Sequence, residues 1–201
     1  MISNLNILNW NCKGIMYGSP YLATLLPLLH IVVLTEHWLY PDSTSFLDSF
    51  DSNFSALTVC DKRLSIDYGP RRGCGGVAIL YRKEFIVKPI PVNDRICGVQ
   101  LLVSKDTYIF VFAVYMPCNT YPENIFLEYL DSLYEVYHKY KQLGTVVFAG
   151  DFNGHLSAKS GPRCSISPNS RGLKIEDWLL ECNLFSVNSS DLADGPWFTF
   201  Y

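Results

Sequence analysis

The stretch Thr145-Val146-Val147-Phe148-Ala149-Gly150-Asp151-Phe152-Asn153 constrains the fold more than any other. An apolar run stops at a glycine and then presents a carboxylate and a carboxamide two residues apart. Following a turn at Gly144, such a run reads as a buried strand, with Asp151 and Asn153 at its exit. Side chains alternate along an extended chain, so both groups point the same way, into whatever cleft lies beyond the strand end. A proton acceptor beside an orienting amide is one use of that geometry. The bland reading is a turn, since Gly, Asp and Asn after a strand are ordinary turn residues.

A chain of 201 residues with 49% hydrophobic and 14% aromatic content has the material for one domain with a sizeable core. That composition excludes disorder as a bulk description. The net charge of -3 and a pI near 5.8 leave no global basic footprint, so a polyanionic partner has to be met by a local patch or by metal ions. Seven scattered cysteines with no CxxC pair argue against a zinc site and against a secreted disulfide framework, and point to reduced, intracellular thiols. The most apolar stretch, Leu25 to Leu34, is too short for a membrane span and carries Pro27 and His30, and the N-terminus lacks a secretory signal. A soluble protein without an address tag is expected.

Leu5 to Asn11 alternates apolar and polar residues like a half-buried strand, and places Asn11 at its exit. Tyr21 to Leu29 suits a short helix that Pro27 kinks or ends. Ile31-Val32-Val33-Leu34 is a β-branched run buried on both faces, releasing Thr35-Glu36-His37-Trp38. From Gly73 the pattern becomes successive strands, Gly75 to Tyr81, Phe85 to Val92, Ile96 to Val103 and Thr107 to Tyr115, expected to pair as antiparallel neighbours. The last two are joined by a tight turn at Ser104-Lys105-Asp106.

Pro122 and Glu123 open a helix with Phe126, Leu130, Leu133, Tyr137 and Tyr140 as its core stripe. A polar loop over Asn153 to Ser170 leads to a helix from Arg171 to Cys182, with Leu173, Ile175, Trp178 and Leu179 as its apolar face, and then a strand Leu184 to Val187. Hairpins mixed with helical crossovers fit an α/β class, a layered sandwich of two packed sheets with helices outside.

Polar groups therefore stand at four strand exits: Asn11, Glu36, Tyr115 before Met116-Pro117, and Asp151 with Asn153. Phosphodiester hydrolysis needs what these offer: a carboxylate for a divalent cation, a carboxylate base for water, and neutral donors for developing charge. His30 and His37 have no second ligand at helical spacing and read as core or surface histidines. Lys62-Arg63 and Arg71-Arg72 read either as a local phosphate patch or as solvated loop charges.

The ordered set Trp10-Asn11, Thr35-Glu36, Tyr115-Met116-Pro117 and Gly150 to Asn153 resembles the endonuclease/exonuclease/phosphatase superfamily along nearly the whole chain. Leu34 to Leu39, Gly75-Gly76-Val77-Ala78-Ile79, Arg171-Gly172-Leu173, Asn183-Leu184 and Trp197-Phe198-Thr199-Phe200 are similar to the endonuclease domain of non-LTR (LINE-type) retrotransposons. The resemblance implies a DNase I-like four-layered α/β sandwich of two mixed sheets flanked by helices. It also implies a metal-dependent phosphodiesterase, a DNA endonuclease that nicks target DNA to prime reverse transcription.

By the same resemblance Glu36 holds Mg²⁺ or Mn²⁺, Asn11 helps to bind the metal or the phosphate, Asp151 activates or orients water, Asn153 holds the phosphate or the base-side network, and Tyr115 stabilises the phosphoryl oxygens. Thr199 matches a position near the DNA backbone. Lys13 stands where many relatives have an acidic or amide residue, and a lysine there meets a phosphate as a point charge. DNA is the implied partner, with a reverse transcriptase domain downstream, a nuclear location and a monomeric state. The family's last motifs, an Asp on a late strand and a terminal Asp-His pair, would lie beyond Tyr201, so a single domain over 1–201 lacking its last strands is expected. The alternatives are a catalytically inactive remnant acting as an interaction module, or a phosphoinositide or sphingomyelin-type phosphodiesterase, against which the helix from Arg171 argues.

Overall fold

The computed structural model describes residues 4–62, 73–164 and 167–192. The chain forms two compact units, one of Met1–Tyr115 with His138–Asp151 and the other of Met116–Tyr137 with Phe152–Tyr201.

The first unit holds two four-stranded sheets. One has the order β1-β2-β4-β3, formed by β1 (Ile7–Asn11), β2 (Ile31–Thr35), β3 (Phe54–Val59) and β4 (Val77–Arg82). The other has the order β5-β6-β7-β8, formed by β5 (Ile86–Pro91), β6 (Ile96–Ser104), β7 (Thr107–Tyr115) and β8 (Gly144–Asp151). Both sheets are mixed: β1 runs parallel to β2 and β7 parallel to β8, while the remaining pairs are antiparallel. β2 is buried at every position, as its unbroken run of Ile31-Val32-Val33-Leu34 requires of a strand covered on both faces.

Ile31 and Val33 of β2, Val77 and Ile79 of β4, Cys97, Val99 and Leu101 of β6, and Val111 and Ala113 of β7 meet between the sheets. This is one core. The opposite face of the first sheet is covered by α1 (Ile15–Leu25) and the short α2 (Ser45–Asp48), whose Ile15, Leu22 and Leu47 pack with Val32, Leu34, Phe54, Ala78 and Leu80. On the outer face of the second sheet Phe110 and Phe112 contact Tyr140, at 4.8 Å and 5.6 Å between ring centroids. Tyr140 ends α3 (Glu123–Tyr140).

In the second unit, α4 (Ser170–Glu181) starts at Asn169, whose side-chain carbonyl accepts the Gly172 amide at 2.7 Å as an N-cap. Its Arg171 is buried, not solvated, because the guanidinium donates to the carbonyls of Pro117 and Tyr121 and lies 5.0 Å over the Phe126 ring. Trp178 is buried and stacks at 6.1 Å on Phe152.

The α/β class, the two mixed sheets and the helices outside them agree with the reading of the sequence. Several details differ. Helix α1 begins at Ile15, six residues before Tyr21, and gives way at Leu26 to a 3₁₀ turn through Pro27, which cannot continue the α ladder. The strands from Gly75 do not form one antiparallel set: β4 pairs with β2 and β3, and β5 begins the other sheet, because residues 83–85 carry the chain from one sheet to the other. Strand β3 has no counterpart among the expected elements. No strand forms over 184–187; Val187–Ser189 is a 3₁₀ turn. Leu173, expected on the apolar face of α4, is 47% exposed, and Arg171 takes the inward place. β8 is half-buried along most of its length and not fully buried, since among the described residues it has one ladder neighbour, β7.

Candidate active site

The alternation that builds the core also builds the site. Along β1, β2, β7 and β8 the residues facing the space between the sheets run Ile7-Asn9-Asn11, Ile31-Val33-Thr35, Val111-Ala113-Tyr115 and Val147-Ala149-Asp151. Each series turns polar at the C-terminal end of its strand. Asn11 lies opposite Thr35, and Tyr115 opposite Asp151, so the four exits meet in two registered pairs. The Asn9 amide donates to the Gly150 carbonyl at 3.1 Å and ties β1 to β8 from one sheet to the other.

At that end the Asn11 Nδ2 donates to Glu36 Oε1 at 2.8 Å and to Asp151 Oδ2 at 3.0 Å. Glu36, one residue past β2, also accepts from the indole N–H of Trp38 at 3.3 Å. The backbone there is set by the turn: Glu36 and Trp38 have φ of 56° and 58°, a left-handed conformation costing on the order of 1 kcal/mol for a residue with a side chain. Their amides donate to the carbonyls of Gly76 and Gly75, and Gly14 donates to the Glu36 carbonyl at 2.8 Å. Gly76 has φ of 86°, and a Cβ on it would collide with the His37 ring.

His37 is buried, donates from Nε2 to the Val59 carbonyl and accepts the Leu39 amide at Nδ1, both at 3.0 Å. Burial lowers its pKa to about 4, against the smaller upward pull of the backbone carbonyls, which keeps the ring neutral and structural. Cys12, beside the site, is likewise buried, and burial raises its thiol to about 12.

Two carboxylates accept from a single nitrogen. Like charges drawn to one donor repel, a cost that a cation between them would offset. Asn11 Oδ1 is buried and has no hydrogen-bond partner among the described residues. Oxygen donors of this type, two carboxylates and an amide, suit Mg²⁺ or Mn²⁺, which take one or two carboxylates and complete their shell with water or phosphate. Among the described residues no group of three or more His, Cys, Asp or Glu side chains is placed to hold a metal ion, so any such ion relies on that mixed set.

Tyr115 is gripped from behind by Arg95. The Arg95 carbonyl accepts the Tyr115 amide at 2.9 Å, its Nη1 donates to the Tyr115 carbonyl at 3.3 Å, and the guanidinium lies 5.1 Å from the ring centroid. Asp61 stands 3.8 Å from Arg95 Nη2.

Of the residues expected from sequence, the structure brings Asn11, Glu36, Tyr115 and Asp151 to one end of the first unit. Lys13 follows Cys12 in the same turn, exposed, with φ of 44°. Asn153 belongs to the second unit, where its amide donates to the Met116 carbonyl at 2.8 Å, with φ of 49°. Thr199 and the arginines at 63, 71 and 72 lie outside the described residues. His155 is exposed, and His30 accepts the Asn6 amide at 3.0 Å on Nδ1. Sequence reasoning missed Trp38, Arg95 and Asp61, whose partners are set by turn conformation or by strands 20 to 34 positions away. Nothing in the local sequence, Cys60-Asp61-Lys62-Arg63 or Asn93-Asp94-Arg95, marks Asp61 or Arg95.

Neither the known protein-family models nor the curated proteins match the sequence. Solved structures do. The 3′ phosphatase NExo from Neisseria, bound to a product DNA hairpin, matches with a TM-score of 0.60 at 17% identity over 89% of this chain and 71% of that one. The AP endonuclease LMAP from Leishmania major matches with a TM-score of 0.65 at 13% identity over 89% and 67%. The APE2 catalytic domain from Xenopus laevis gives 0.61 at 18% identity over 87% and 66%. What these three share with the present chain is the fold: it has the DNase I-like α/β arrangement of two mixed sheets flanked by helices.

Proposed function

We propose that this chain is a divalent-metal-dependent phosphodiesterase that cuts DNA, and specifically a non-LTR retrotransposon-type endonuclease that nicks target DNA to prime reverse transcription. The observation that carries the reading is the Asn11 amide bridging the carboxylates of Glu36 and Asp151, at 2.8 Å and 3.0 Å. The bridging amide offsets only part of the repulsion between two carboxylates brought this close, and a cation would offset the rest. The motif order and the DNA-bound neighbour support the choice of substrate, and the segments Leu34 to Leu39, Gly75 to Ile79, Arg171-Gly172-Leu173, Asn183-Leu184 and Trp197 to Phe200 support the finer retrotransposon assignment.

Glu36 and Asn11 hold the ion, Mg²⁺ or Mn²⁺, and Trp38 fixes the second Glu36 oxygen. Bound there, the ion supplies charge neutralisation at the scissile phosphate. Asp151 orients the attacking water and accepts its proton, since a carboxylate within reach of the nucleophile serves as general base. Tyr115, opposite Asp151 in register, donates to a phosphoryl oxygen as negative charge develops. Asn153 holds the phosphate, and Lys13 and Thr199 meet the DNA backbone. With a net charge of -3, Lys13 and the ion carry the local attraction for DNA. DNA, a downstream reverse transcriptase domain and a nuclear location complete the proposal.

Supercoiled plasmid incubated with Mg²⁺ tests it. Nicking should appear with the wild-type chain and be lost in EDTA. Asp151→Asn should lower the rate by roughly two orders of magnitude, the scale of a lost general base. A loss of only a few fold would return Asp151 to a turn role.

A further inference from the structure

We propose that the buried pair Asp61 and Arg95 is a positioning device that locks the Tyr115 ring at the end of β7. The inference rests on the phosphodiesterase reading, in which Tyr115 contacts the phosphate, and goes beyond it to residues that no motif marks.

Arg95 and Asp61 are 6% and 5% exposed. Burying a guanidinium and a carboxylate is expensive, and the gain from a pair separated by 3.8 Å is small, so an apolar pair of like volume would stabilise the fold as well or better. The pair instead meets one residue three times. Arg95 accepts from the Tyr115 amide, donates to the Tyr115 carbonyl and covers the face of its ring at 5.1 Å. A half-buried tyrosine at a strand end has rotamer freedom that this contact removes; a cation over the ring face is held by the ring's quadrupole.

Arg95 is itself set in place. Its amide donates to Asn93 Oδ1 at 3.0 Å, and Asp61 is backed by Gly75, where a Cβ would stand 2.6 Å from the Asp61 carboxylate. Gly75, with φ of 57°, also accepts the Trp38 amide, so the support of Tyr115 and the turn that presents Glu36 share one backbone segment. Both sides of the site are thereby braced by residues 73–76.

The test variant is the double substitution Asp61→Asn with Arg95→Met. It removes both charges together, so no buried charge is left uncompensated and folding is retained. If Arg95 acts through Tyr115, kcat for nicking falls by about 10²-fold, as for an angstrom-scale misplacement of a reacting group, while KM stays within about twofold. In a Tyr115→Phe background the same double substitution then costs nothing further. In ¹³C-tyrosine spectra, the Tyr115 ring signal, assigned by its loss in Tyr115→Phe, moves toward an averaged position in the double variant.

Full additivity with Tyr115→Phe, or an unchanged Tyr115 signal, overturns the proposal. Should the wild-type chain not nick DNA, the phosphodiesterase reading fails while the ring signal still decides whether Arg95 holds Tyr115. If the double variant does not fold, Arg95→Lys replaces it, which keeps the charge but loses the planar cover of the ring, and the same two readouts apply.

Discussion

Replacing Asn11 by Ala isolates the group on which the site turns. In the native protein one amide donates to two carboxylates, at 2.8 Å and 3.0 Å. A hydrogen bond to a charged acceptor contributes about 1.5–3 kcal/mol when buried, but both carboxylates are half-exposed and regain water in the variant. Taking the low end for each bond and discounting for that rehydration leaves about 2 kcal/mol. For a chain of 201 residues this lowers the melting temperature by roughly 4–8 °C in EDTA.

Adding Mn²⁺ separates the two jobs of the side chain. The orphaned Oδ1 is expected to serve the cation, so its loss weakens affinity about tenfold, and the wild type gains about 1 kcal/mol more from a fixed Mn²⁺ concentration than the variant does. The gap between the two melting curves should therefore widen with the ion. Thermal scans in EDTA and across a Mn²⁺ titration measure both numbers without reference to activity. A gap below about 0.5 kcal/mol in EDTA would mean that the bridge is not holding the carboxylates. Equal stabilisation of both proteins by Mn²⁺ would remove Asn11 from the cation site and refute the reasoning.

His37 gives a pH signature. Its pKa falls from 6.5 in the unfolded chain to about 4 in the fold, so the unfolded state binds the extra proton first as pH drops. The contribution, about 3 kcal/mol, is complete above pH 6.5 and is lost progressively down to about pH 4. Urea titrations across that window should show the slope, and His37→Gln should flatten it. Gly150, with φ of 151°, has no room for a side chain, because a Cβ would collide with the Val114 carbonyl in β7. Gly150→Ala should lower stability by roughly 2–3 kcal/mol and weaken the β7 to β8 ladder, visible as faster amide exchange at Val147 and Ala149.

What could be read from the sequence was what depends on nearest neighbours. The alternation in Leu5 to Asn11, the unbroken run Ile31 to Leu34 and the pattern ending at Tyr115 each fix a strand and the direction in which its last polar residue points. Asn11, Glu36, Tyr115 and Asp151 were legible for that reason, and the resemblance only had to supply their meeting. Strand order was not: β4 and β5 are adjacent in sequence and separated by residues 83–85, and a short connection looks the same whether it closes a hairpin or crosses between sheets. β3 was lost because Phe54-Ser-Ala-Leu-Thr-Val shows little contrast between its faces; five of its six positions are half-buried. The burial of Arg171 and Arg95 left no mark in the sequence, because the carbonyls and ring that justify it are 20 to 54 residues distant. Leu173 looked like core for the converse reason, an apolar residue at helical spacing that the turn of α4 leaves outside.

The tie from Asn9 to the Gly150 carbonyl has a consequence for how this machinery tolerates change. It fastens the two sheets just short of their polar rim, so the spread of the carboxylates is gauged by the thickness of the apolar filling and not by any loop. Ala113 and Ala149, the last small fillers before Tyr115 and Asp151, are then spacers: a bulkier residue there would wedge the jaws apart and be felt as lost chemistry before it was felt as lost folding.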